Sequence, residues 1–147
     1  MNHEIETVNS RIKTTIDSLD GYRSAAEDTS SGQLQFIFLE RANERQDVAD
    51  TLRQHVRTLG EEPEDDGLLA AGAHRMFMNL RDAVTGSGDQ SVIAEVERGE
   101  DYIKAKFKAA MEDGNLGAQT RSVISQCYDS VRSGHDQMRD LKYGLSA

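Results

Sequence analysis

The chain has 147 residues, with 26 acidic against 17 Lys and Arg side chains, so its formal net charge is −9 and its pI is about 4.9. That balance argues against a nucleic-acid or anionic-membrane surface. No apolar run approaches the roughly 20 residues of a membrane span, and the start Met1-Asn2-His3-Glu4 lacks a signal-peptide pattern. Cys127 is the single cysteine, which excludes an internal disulfide framework and fits a reducing, cytoplasmic setting.

One proline and long stretches of Ala, Leu, Glu, Gln, Lys and Arg favour helix almost throughout. Ile5, Val8, Ile12, Ile16, Leu19, Tyr22 and Ala26 step by three or four residues, predicting a helix over about 3–29. Ser30 to Gln33 reads as a capping box opening a second helix, about 31–59. Its stripe is Phe38, Ala42, Arg45, Ala49, Leu52, Val56 and Leu59, and Gly60 supplies the left-handed stop.

The loop Glu61-Glu62-Pro63-Glu64-Asp65-Asp66-Gly67 gathers five acids around the proline. A shorter helix over about 67–85 buries Leu69, Ala73, Met76 and Leu80. Gly86-Ser87-Gly88-Asp89 breaks it and offers Asp89 as the next N-cap. Ile93, Val96, Glu100, Ile103, Phe107 and Ala110 form the stripe of a helix over about 90–113. Ile124, Cys127, Val131, Gly134, Met138 and Leu141 form the last, about 117–143.

No segment alternates with period two, so the fold class is all-α, a single domain over residues 1–147. Tight turns make helices one and two antiparallel neighbours, and likewise the last two. The long link between the pairs is the ferritin-like arrangement; a plain up-and-down bundle with the short helix as an end cap is the alternative.

Two stripe positions hold charge. Arg45 and Glu100 each lie near the middle of a buried face, where an unpaired charge costs several kcal/mol, so they are expected to pair across the core with help from Tyr22 or Tyr128. Gly99 and Gly134 interrupt helices at the same level, where glycine costs about 1 kcal/mol relative to alanine. They suggest close helix approach or room at the centre.

The competing expectation is a metal site. Bundle di-metal centres use Glu-x-x-His pairs, which project both ligands from one helix face. The residues three before His55, His74 and His135 are Leu52, Ala71 and Arg132, so that spacing is absent, and a central arginine repels a divalent ion. The candidate ligands for a degenerate iron or manganese site are Glu27, Glu44, Glu97, Glu100 and His135. His74 and Arg75 are the candidates for a ligand pocket beneath the short helix. Cys127 falls in an apolar stripe and reads as inert packing. Phe36 lies off its helix's main stripe and suits an oligomer interface.

The ordered pieces Asp20-Gly21-Tyr22-Arg23, Glu40-Arg41-x-x-Glu44-Arg45, Leu59-Gly60-x-x-Pro63, Ala73-His74-Arg75-x-Phe77-Met78, Glu97-Arg98-Gly99-Glu100-Asp101 and His135-Asp136-x-Met138-Arg139 resemble a bacterial ferritin-like four-helix-bundle family of unknown function. The resemblance runs over nearly the whole chain and implies a stand-alone bundle without an established activity. It departs at Val48 and Thr51, where members often carry an aromatic and an acid. The resulting expectation is a non-enzymatic structural or interaction module, able to form a homodimer, with no assigned catalytic residue and no cofactor. The degenerate metal-binding protein is the alternative.

Overall fold

The computed structural model describes residues 3–63 and 88–146. Four helices account for most of them: α1 His3–Asp28, α2 Gly32–Thr58, α3 Gly88–Met111 and α4 Ala118–Ser146. There is no strand among the described residues, and no helix among them is long and apolar enough to cross a membrane. The short helix expected over 67–85, with His74 and Arg75, lies outside the described residues.

The ends of α2 follow local chemistry. Ser31 is the N-cap, its hydroxyl accepting from the Leu34 amide at 3.2 Å; the cap thus sits one residue later than the expected capping box. At the other end Gly60 adopts φ +93°. The Gly60 amide donates to the Arg57 carbonyl and the Glu61 amide to that of Val56, a Schellman closure that only a residue tolerant of positive φ permits cheaply.

Asp89 does not cap its own helix as expected. Its carboxylate accepts from the Thr29 hydroxyl at 2.6 Å and from the Ser30 amide at 2.9 Å. These bonds hold the carboxylate below its ordinary pKa and fasten the start of α3 to the turn between α1 and α2.

Side-chain pairs give the helix directions. His3 meets Asp113, the Arg11 guanidinium donates to the Lys106 carbonyl, and Ser18 meets Glu100, so α1 and α3 run antiparallel. Arg41 reaches Gln137, Glu44 reaches Ser130 and His55 reaches Thr120, so α2 and α4 are antiparallel too. Since α1 and α2 form a hairpin, α2 and α3 point the same way. The chain therefore leaves α2 at one end of the bundle and begins α3 at the other.

The apolar core is divided. One cluster joins Ile5, Val8, Ile12 and Ile16 to Leu52, Val56, Ile103, Phe107, Ile124 and Val131. The second joins Leu19, Tyr22 and Ala26 to Leu34, Phe38, Ile93, Val96 and Met138. On every helix the break between the clusters falls in the middle, and there the polar residues lie.

Candidate functional site

Each helix contributes one residue to the layer between the clusters: Ser18, Arg45, Glu100 and Gly134. Arg45 is 0% and Glu100 1% exposed. The Arg45 Nη2 donates to Glu100 Oε2 at 2.5 Å, and its Nε donates to the Ser18 hydroxyl at 3.0 Å. Ser18 in turn donates to Glu100 Oε1 at 3.4 Å. The guanidinium carbon stands 5.7 Å from the centre of the Tyr22 ring, a cation–π distance. Burial alone would lower the Arg45 pKa, but the surrounding groups, with the Glu100 carboxylate foremost and Tyr22 and Glu44 adding to it, more than offset that and hold the guanidinium above its usual value. Burial, reinforced by Glu100, pushes the Tyr22 phenol well up, so it stays neutral.

Gly134 is what lets the layer close. A Cβ there would lie 2.6 Å from Arg45 Nη2 and 2.9 Å from Glu100 Oε2. Gly99 is different: a Cβ there meets nothing within 4 Å, so it marks no close helix approach and instead borders open space, lining the cavity between α1 and α3. Tyr128, also expected beside the pair, packs against the first apolar cluster instead.

The remaining candidates separate. Glu44 bonds Arg41 at 2.6 Å and the Ser130 hydroxyl at 2.9 Å on the α2–α4 edge. Glu27 is exposed near the end of α1. Glu97 and His135 do come together, with Asp101 as a third member that the helical spacing did not single out; one oxygen or nitrogen from each lies within 4.8 Å of the others. The Cys127 thiol is buried, which pushes its pKa up to about 11 and leaves it unreactive at neutral pH.

A cavity of about 60 Å³ opens between α1 and α3, lined by Asp17, Ser18, Tyr22, Val96, Gly99 and Glu100. The Asp17 Oδ1 and the Tyr22 hydroxyl, both buried, have no hydrogen-bond partner among the described residues; Tyr22 faces Glu100 outside bonding geometry. Burial pushes the Asp17 carboxyl up to about 6, with nearby Asp20 adding to it and Lys13 opposing it.

Residues 3–113 match the family described as Domain of unknown function (DUF2383). The chain belongs to that family. The match takes in α1, α2 and α3, with Arg45, Glu97, Glu100 and Asp101; α4, with Gly134 and His135, lies beyond it. Comparison with curated proteins gives no match.

Two predictions follow from this geometry. Gly134→Ala should destabilise the bundle by about 1–3 kcal/mol through overpacking, whereas Gly99→Ala should stabilise it by about 0.5–1 kcal/mol through helix propensity; urea unfolding of the two variants measures both. Asp17 has a folded pKa raised from 3.8 to about 6, so the folded state takes up the proton first. Its stabilising contribution is complete below about pH 4 and is lost as pH rises through about 6. Asp17→Asn should therefore raise Tm at pH 7.5 and leave it unchanged near pH 3.5, as read by thermal unfolding across that range.

Proposed function

We propose that the chain is a non-enzymatic helical-bundle module of the ferritin-like arrangement that acts through its outer faces, with a second copy of itself as its partner. The observation that carries the reading is the occupant of the bundle centre: the Arg45 guanidinium, ion-paired to Glu100 and fully buried. Ferritin-like bundles build di-metal chemistry at that level from inward carboxylates and Glu-x-x-His pairs. Here a fixed positive charge takes the place, one carboxylate is committed to neutralising it, and no histidine stands three residues after a glutamate. The residues present do not fit a di-metal group, and the polar layer is better understood as the device that registers the four helices. The helix directions support the ferritin-like arrangement, since a chain that leaves α2 at one end and starts α3 at the other needs one long crossover.

The outer face offers an anchor. Phe36 and Leu39, three residues apart on α2, are 64% and 44% exposed, and large apolar side chains on one turn are the usual nucleus of a helix-to-helix contact. Light scattering after size exclusion tests the reading. The unaltered chain should be a dimer, and Phe36→Ser with Leu39→Ser should make it monomeric with its thermal transition unchanged, because both side chains lie outside the core. A chain that is monomeric at every concentration, or a dimer that survives the double substitution, would overturn self-association through this face.

A further inference from the structure

The side-chain cluster on the α3–α4 flank has a different character from the central layer. Glu97 and Asp101 are four residues apart on α3 and so share a face; His135 reaches them from α4, with only 10% of its side chain exposed. Its Nε2 lies 2.5 Å from Asp101 Oδ1, and its Nδ1 lies 3.3 Å from Asp136 Oδ1. The imidazole is thus held by a carboxylate on each nitrogen. The bond from His135 is the largest influence holding the Asp136 carboxyl below its usual pKa.

We propose that Glu97, Asp101 and His135 form a binding site for a single divalent transition-metal ion. The argument rests on donor type, spacing and support. An imidazole with two carboxylates suits Zn²⁺, Fe²⁺ or Mn²⁺, while Mg²⁺ prefers oxygen donors throughout. Ligand atoms about 2.1 Å from one cation lie about 3.0–3.4 Å apart. The three donors already fall within 4.8 Å of one another, so rotation of the half-buried Glu97 and exposed Asp101 side chains closes the set without moving a helix.

Two carboxylates and a neutral imidazole balance the dication. Asp136 supplies the outer carboxylate that metal-binding histidines use to fix their tautomer, accepting from Nδ1 so that Nε2 presents its lone pair. Among the described residues the Lys142 Nζ, 3.5 Å from Glu97 Oε2, opposes the ion most directly, while Arg139 and Lys104 bear on the outer Asp136 carboxylate. The Lys142 side chain is 43% exposed and can swing to solvent. The remaining positions on the metal would take water.

The inference is independent of self-association, since Phe36 and Leu39 lie on α2. Calorimetric titration of the full chain with Zn²⁺ tests it. One ion should bind per chain, and equimolar Mg²⁺ should not displace it. Because His135 is buried and its loss could unfold the bundle, the test variants are Glu97→Gln and Asp101→Asn, which keep each side chain's size while removing its charge. Each should weaken Zn²⁺ binding at least about tenfold while keeping the thermal transition of the metal-free chain. Lys142→Met should tighten binding, and Asp113→Asn, which removes the carboxylate beside His3 at the bundle end, should leave it unchanged. Absence of saturable binding, or binding that Glu97→Gln and Asp101→Asn leave intact, would overturn the proposal.

Discussion

A guanidinium with no exposure to water sets the terms for this bundle. Taking one charge from water into an apolar interior costs several kcal/mol, and a partner must be supplied from another helix. Arg45 finds Glu100 on α3 and Ser18 on α1, while α4 contributes Gly134, which is empty space in the form of a missing Cβ. The contact joins all four helices at one level. A slip of α2 by one residue would carry Arg45 about 100° around its axis and away from the carboxylate. Apolar residues above and below the layer are more forgiving, since Leu, Ile and Val can exchange neighbours at modest cost. The polar layer therefore acts as the register mark, and the two apolar clusters provide most of the burial.

The ends of the bundle are held by related means. Asp89 gathers the Thr29 and Ser30 donors at one end, and the buried His55–Thr120 bond, 2.7 Å, ties α2 to α4 at the other. Asp89 stands at the surface, where a carboxylate collects orphan donors cheaply. His55 is 5% exposed, and its contact with Thr120 satisfies a polar group that the core would otherwise strand.

Much of this was legible in the residues, because helical periodicity exposes a charged residue in an apolar slot. Arg45 and Glu100 stood out for that reason, and the unequal connection lengths pointed to two hairpins joined by a crossover. The companions of the pair were harder to find. Ser18 lies off the α1 stripe, and its role depends on where a side chain from α2 ends. Tyr128 was placed beside the pair by residue type, but it lies six residues before Gly134, about 9 Å along α4. Asp101 belonged to a motif but not to the candidate ligands: it follows Glu100 directly, and only the reach of His135 from α4 gives it that meaning. Asp89 looked like an N-cap by position, yet its carboxylate serves the neighbouring turn. In each case the missing information was the relative height of two helices, which periodicity within one helix does not carry.

If the central pair is structural, its energy is a coupling between two residues and has little to do with either alone. The most direct measurement is a double-mutant cycle by urea unfolding on the intact chain, with Arg45→Leu, Glu100→Leu and the combination. Each single change strands a buried charge and should cost about 3–5 kcal/mol, while the double change, which removes both charges, should be much milder than either. A double variant whose loss equals the sum of the single losses would contradict the account, because the two charges would then not depend on one another.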